Sequence, residues 1–237
     1  MVSGDFYWST RIDAWVIITV ADCTGHGVPG AFMSMLGISF LNEIVRKKEV
    51  VNAAEILDQL REAVIEALKQ TGKQNEQKDG MDMSIAAINT KTRQCIWAGA
   101  NNPLYIVRQG GEKLETPNAE DGTYRIHSYD GCELTEIRGD KMPVAIYTVM
   151  ENYSSHEVQL RKGDRIYLFT DGYSDQFGGP DHRKFLAKNF RDIIAKTSSL
   201  PIEKQGMEID STFKTWVNSG SKDGEQIDDV TVMGIEL

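Results

Sequence analysis

The order of its apolar patterns constrains this chain most. Strand-like runs come first, then two helical segments, many strand-like runs, two more helical segments and one last strand. Residues 4–8 read as a short strand and residues 15–21, apolar and β-branched, as a buried one, with Ile12-Asp13-Ala14 as the hairpin connection. A helix follows Gly25-His26-Gly27 with Pro29 in its first turn; Phe32, Met35, Leu36, Ser39, Phe40 and Ile44 recur at helical spacing. Asn52, with Glu55 three residues on, caps a second helix whose stripe is Ala53, Leu57, Leu60, Val64 and Leu68. Residues 71–80 are polar and aperiodic, which predicts a loop. Runs at 83–89, 94–98 and 104–108 predict strands, and Gln109-Gly110-Gly111 predicts a hairpin from the third of these into 113–116. Residues 117–131 lack a pattern and read as an insertion or long loop. Residues 132–137, 154–159 and, after the turn Lys162-Gly163-Asp164, 165–170 are further strands. Helices are expected over 181–196 and from Pro201, the latter carrying Ile202, Ile209, Phe213 and Trp216, before a last strand at 230–237. Helices segregated from a largely antiparallel β set predict an α+β fold. Two helix pairs with two strand groups predict a four-layer α-β-β-α sandwich.

A chain of 237 residues suits a single domain, residues 1–237, and 41% hydrophobic content is enough for an ordinary core. The longest apolar runs, such as 15–21, are too short to span a bilayer, and no basic region followed by an apolar stretch marks a signal peptide. Three cysteines (Cys23, Cys95 and Cys132) without CxxC spacing favour a reducing, cytoplasmic setting. A net charge of −9 argues against a general nucleic-acid binder. It would also repel a phosphate substrate unless a cation mediates.

Four aspartates stand at the edges of strand-like runs: Asp5 in Gly4-Asp5-Phe6, Asp22 in Ala21-Asp22-Cys23-Thr24-Gly25, Asp171 in Thr170-Asp171-Gly172 and Asp228 in Ile227-Asp228-Asp229-Val230-Thr231. Carboxylates at strand ends are placed to converge on hard cations, and two such cations make a hydrolytic site for a phosphate ester. Asp22 is followed by a Gly-rich turn and a helix N-terminus; its other reading is an Asx turn at an ordinary strand-turn-helix corner. Asp171 alone reads equally as an Asp-Gly turn. Asp228 and Asp229, being adjacent, point to opposite faces of a strand, so one of them faces a shared site.

These blocks resemble the bacterial PPM-type serine/threonine phosphatases of the SpoIIE/RsbU class. The resemblance is carried in order by Gly4-Asp5-Phe6-Tyr7-Trp8, the segment from Ala21 to Gly30, Asp79-Gly80-Met81-Asp82-Met83-Ser84, Ala98-Gly99-Ala100-Asn101-Asn102-Pro103, Gly139-Asp140-Lys141-Met142-Pro143, Thr170-Asp171-Gly172 and Asp228-Asp229-Val230-Thr231. It implies an α-β-β-α sandwich with a binuclear Mn2+/Mg2+ site between the sheets. The implied ligands are Asp5, Asp22 as the bridge, the main-chain carbonyl of Cys23, Asp171 and Asp228. Asp82 is either a contact to a third, weaker ion or a turn residue. The implied reaction is attack of a metal-bridging hydroxide on phosphoserine or phosphothreonine, without a phospho-enzyme. His26 is the nearest proton donor to the leaving oxygen, its other reading being a cap of the turn. Arg11 is the only basic residue near the first motif, and no motif assigns it to phosphate.

By the same resemblance the partner is a phosphorylated bacterial regulator such as a STAS-fold anti-sigma-factor antagonist. The chain is expected to be the C-terminal part of a larger protein with an upstream sensor domain, missing an N-terminal strand. It would lie in the cytoplasm without direct membrane insertion, though the sensor could tether it to a membrane. The bare sheet edge would then favour a homodimer. The alternative is a catalytically weak phosphatase-fold binding module. A nucleotide-processing metal enzyme is disfavoured by the absence of P-loop and Rossmann glycine patterns.

Overall fold

A computed structural model of the protein describes residues 3–25, 27–73, 79–116, 122–219 and 224–237. One five-stranded sheet contains β1 (Phe6–Ile12), β2 (Trp15–Cys23), β3 (Met81–Asn89), β4 (Gln94–Ala100) and β8 (His156–Gln159), in the order β1-β2-β3-β4-β8. The other runs β12-β9-β5-β7-β6, from β12 (Val232–Glu236), β9 (Arg165–Phe169), β5 (Leu104–Gln109), β7 (Cys132–Ile137) and β6 (Tyr124–Tyr129). Every strand pair in both sheets is antiparallel. A two-stranded ribbon joins β10 (Phe177–Gly178) to β11 (Arg183–Lys184). The helices are α1 (Val28–Leu41), which continues as a π-helical segment Asn42–Lys47, α2 (Ala53–Leu68), the single turn α3 (Gly172–Asp175), α4 (Ala187–Thr197) and α5 (Ile202–Asn218).

Strand alternation divides the apolar side chains among three cores, and these define the layers. On β2, Ile17, Ala21 and Cys23 join Met33, Leu41, Leu57 and Leu60 of α1 and α2. Ile18 and Val20, facing the other way, meet Ile106, Ile166 and Leu168 of the second sheet. The outer face of that sheet, through Tyr105, Tyr167 and Phe169, packs on Phe190, Ile194, Ile209 and Phe213 of α4 and α5. Period-2 strands buried on both faces give two sheets with helices outside each. The α-β-β-α expectation is met.

Local expectations fared unevenly. Asn52 caps α2, its Oδ1 accepting the amides of Ala54 at 3.0 Å and Glu55 at 3.2 Å. On α1 the inward face is Gly30, Met33, Ser34, Gly37 and Leu41, whereas Phe32 and Met35 are 67% and 69% exposed. Small residues on the inward side let α1 lie close to the sheet, and that outweighs the larger residues chosen from spacing. The hairpin from 104–108 into 113–116 does not form, because β5 pairs with β7 on one side and β9 on the other. The patternless stretch contains a strand: β6 forms a hairpin with β7 around Asp130-Gly131, with Tyr129 opposite Cys132. Residues 117–121 of that stretch lie outside the described residues. The helix expected from 181 begins at 187. Leu186, with φ 73, interrupts the chain before it, and residues 183–184 are used by the ribbon.

The continuous helical segment Val28–Lys47, mean hydropathy 1.4, is long and apolar enough to cross a membrane by composition. In the fold, Met33, Leu41, Ile44 and Val45 of this segment are part of the core against the first sheet.

Candidate metal centre

Strand register brings three carboxylates into one row. Phe6 pairs with Ala21, so one step further out Asp5 comes opposite Asp22, and Asp22 pairs with Asp82 on β3. Residues level on adjacent strands project to the same face. That face is the one toward the second sheet, since Ile18 and Val20 share the parity of Asp22, and Ala86 and Ile88 that of Asp82. Cys23 has the opposite parity. Its thiol faces the helices, 3.8 Å from Ser34 Oγ on α1, and burial pushes it up to about 12. Only the Cys23 backbone is left for the cleft.

The second sheet supplies the remaining acids. β9 ends at Phe169 and runs through Thr170 into Asp171 and α3; β12 begins opposite, with Val232 paired to Phe169. The chain ahead of β12 thus passes over Asp171 and Gly172. A Cβ at Gly172 would lie 2.0 Å from the Asp229 carbonyl oxygen, so only glycine admits this crossing. Carboxylate oxygens of Asp22, Asp171 and Asp228 all lie within 4.8 Å of one another. Asp22 is half-buried, while Asp171 and Asp228 are exposed at the mouth. Asp22, Cys23, Thr24, Gly25, Asp82, Ile227 and Asp228 line a cleft of about 370 Å³.

Negative charge in this cleft is only partly offset, by hydrogen bonds and by Lys184 acting on Asp171. Burial, then the neighbouring Asp5, Asp171, Asp228 and Asp82, push the Asp22 carboxyl up to about 8. Asp171 is raised by desolvation, then by Asp175 and Asp228, with a hydrogen bond from Asp22 working against it. Asp5 is raised by burial against the hydrogen bond from Thr170. Asp82 is raised by burial against that from Asn101, whose Nδ2 donates to Asp82 Oδ1 at 2.8 Å. Among the described residues no ion pair neutralises Asp22, Asp171 or Asp228; Lys184 pairs with Asp175 instead. Clustered hard oxygen donors that strain one another's ionisation fit divalent cations with oxygen preference.

Of the residues singled out in sequence, Asp22, Asp171 and Asp228 converge. Asp5 stands beside Asp22 in register, and Asp82 lines the same cleft. His26 lies outside the described residues. Arg11 is six residues along β1 from Asp5, about 20 Å of extended strand, and its Nε donates to the Asp13 carbonyl at 2.9 Å. Thr170, Asp229 and Asn101 were missed. The first two are sequence neighbours of ligand-type aspartates, which was a usable signal. Asn101 carries a left-handed φ of 60, which a bare sequence does not announce.

Two facing antiparallel sheets between helix pairs, with a carboxylate cluster at one mouth of the sandwich, define the class: a PPM-type (PP2C-like) phosphatase domain, a hydrolase. The sequence model of stage II sporulation protein E (SpoIIE) matches residues 13–237, and the chain belongs to that family. The structure is similar to the PP2C domain of SiaA from Pseudomonas aeruginosa, at 26% identity and TM-score 0.78, covering 100% of this chain and 81% of that one. It is also similar to the PP2C phosphatase domain of the cell fate determinant SpoIIE from Bacillus subtilis, solved with a fragment of its regulatory domain (18%, TM-score 0.67, 100% of this chain and 57% of that one). The PPM Ser-Thr phosphatase MsPP from Mycobacterium smegmatis, in complex with cacodylate, is a more distant match (13%, TM-score 0.56, 99% and 92%). At the last two identities the likeness is one of fold. No curated protein sequence matches the chain.

Proposed function

We propose that this domain is a metal-dependent protein phosphatase that hydrolyses phosphoserine or phosphothreonine on a bacterial regulatory protein. Two Mn2+ or Mg2+ ions would be held by Asp5, Asp22, the Cys23 carbonyl, Asp171 and Asp228. The observation that carries this reading is the unneutralised trio Asp22, Asp171 and Asp228, with oxygens within 4.8 Å and Asp22 pushed up to about 8. Such ions supply neutralisation of the phosphate dianion and a water acidified enough to serve as nucleophile near neutral pH.

The residues have separable roles in this reading. Asp22, central in its row, would be the carboxylate shared between ions, and would have to give up its proton to bind them. Asp171 and Asp228, exposed at the mouth, would hold the ions on the side open to a protein-borne phosphate. Asp82, steadied by Asn101, offers a third and weaker site. His26 is proposed as proton donor to the leaving serine or threonine oxygen.

The substrate is proposed to be a phosphorylated STAS-like anti-sigma-factor antagonist, by analogy with SpoIIE-type regulators. Residues 1–237 are proposed as one catalytic domain of a larger cytoplasmic regulator with an upstream sensor. Homodimerisation through the outer edge of β1 is proposed with it.

Phosphate release from a phosphoprotein or an aryl phosphate is the test, measured with Mn2+ and with EDTA. Asp22→Asn and Asp171→Asn should each lower the rate by about 100-fold or more. Full activity in either variant with unchanged metal occupancy rejects the site. Absence of divalent-metal binding at millimolar concentrations favours the binding-module alternative.

A further inference from the structure

Asp5 is not itself held by regular structure. It lies one residue outside β1, and the β1–β2 pairing starts only at Phe6 with Ala21. Nearer in sequence, Ser34 Oγ donates to the Gly4 carbonyl at 2.7 Å and the Asp5 amide donates to Ser3 Oγ at 3.1 Å; further anchors come from far along the chain. Asp229 Oδ2 accepts the Gly4 amide at 2.8 Å, across 225 residues. Thr170 Oγ1 donates to Asp5 Oδ2 at 2.7 Å and accepts the Thr231 amide at 3.0 Å. The Thr170 amide in turn donates to the Thr231 carbonyl at 3.0 Å, and Thr170 is 1% exposed. Gly4 is also pressed against the turn after β2: a Cβ there would meet the Gly25 and Cys23 carbonyl oxygens at 2.8 and 3.0 Å.

We propose that Asp229 and Thr170 are positioning residues: Asp229 through the Gly4 amide, and Thr170 through Asp5 Oδ2, together hold Asp5 at the metal centre. This rests on the reading of Asp5 as a metal ligand. The negative charge of Asp229 adds to the repulsion on Asp5, so its contribution is the oxygen that accepts Gly4 N–H. An asparagine offers the same acceptor. Thr170 occupies one carboxylate oxygen with a directed hydrogen bond and so sets the rotation of the Asp5 carboxylate. Outer partners that orient metal ligands typically control metal affinity by 10–100-fold.

Hydrogen exchange of the Gly4 and Asp5 amides in EDTA, followed by NMR, tests the clasp without any metal. Calorimetric titration with Mn2+ tests its consequence. In wild type and Asp229→Asn the Gly4 amide should be protected and Mn2+ affinity similar. Asp229→Ala should exchange Gly4 at least about tenfold faster and lose about tenfold in Mn2+ affinity. Thr170→Val should lose affinity likewise, and Thr170→Ser should restore it. Thermal melts in EDTA accompany each variant, since a purely structural role lowers the melting temperature without a selective loss of Mn2+. Wild-type Mn2+ affinity in Asp229→Ala or Thr170→Val overturns the proposal. So does an Asp229→Asn variant as weak as the alanine, which would mean that Asp229 acts by charge. A wild-type chain that binds no Mn2+ while Gly4 stays protected defeats the metal-centre reading, and the positioning role with it.

Discussion

Metal-free, Asp22 keeps its proton up to about pH 8 in the folded chain, against an ordinary value near 3.8. Between those values the folded state binds more protons than the unfolded state, so stability is greatest at the acid end and is lost as pH rises toward 8. Thermal melts in EDTA should therefore fall in midpoint across this window, while Asp22→Asn should flatten the dependence and melt higher than wild type at pH 8. Saturating Mn2+ should reverse the ranking, since ions offset the repulsion only where the carboxylates remain. At this scale the sequence was informative about identity but silent about geometry. The position of Asp22 at the end of an apolar run, before a Gly-rich turn, marked it directly. The row formed by Asp5, Asp22 and Asp82 needed the register of three strands, which no single segment encodes. Adjacent strand residues face opposite ways, so one acid of the pair was expected at the site, and motif position in the family resemblance favoured Asp228 over Asp229. In the fold the Asp229 side chain reaches Gly4, its Oδ2 accepting that amide at 2.8 Å.

Among the elements, α2 and the central strand β5 offer clean measurements away from the metal centre. Asn52→Ala removes the acceptor for two amides and should cost about 1 kcal/mol in denaturant unfolding, with phosphatase activity of the folded fraction unchanged. Arg108 on β5 makes a bidentate buried pair with Asp164, at 2.9 and 2.7 Å, and Asp164 also accepts the Arg161 amide at 2.8 Å. Asp164→Ala leaves that guanidinium buried and uncompensated, and should cost about 3–5 kcal/mol by the same measurement. Elements with a strong one-sided or two-sided apolar pattern, such as β2, β9 and α2, were legible in sequence. The strand β6 was not, because it borders its sheet and carries exposed Arg125 and Ile126 with little inward pattern. The Asp130-Gly131 pair between it and β7 was the signal that should have exposed it. Gly110-Gly111 misled for a related reason: a turn residue pair shows that the chain bends, but not which strand it bends toward.

For the whole molecule, the four layers follow from segment order, while the centre depends on closing the chain on itself. Deleting residues through Asp5 should abolish Mn2+ binding by calorimetry while leaving most of the circular dichroism signal, because the three cores draw little on those residues. A deletion variant that still binds Mn2+ as tightly as wild type would remove Asp5 from the centre. The clasp between Gly4 and Asp229 has a further consequence during synthesis. At roughly 5–20 residues per second, the partner of Gly4 leaves the ribosome about 10–45 seconds after it. Throughout that interval the growing chain can shape sheets and helices but holds no complete set of acids. A phosphatase whose centre needs Asp228 would be silent as a nascent chain, and would acquire its chemistry only once residues 228–229 have emerged.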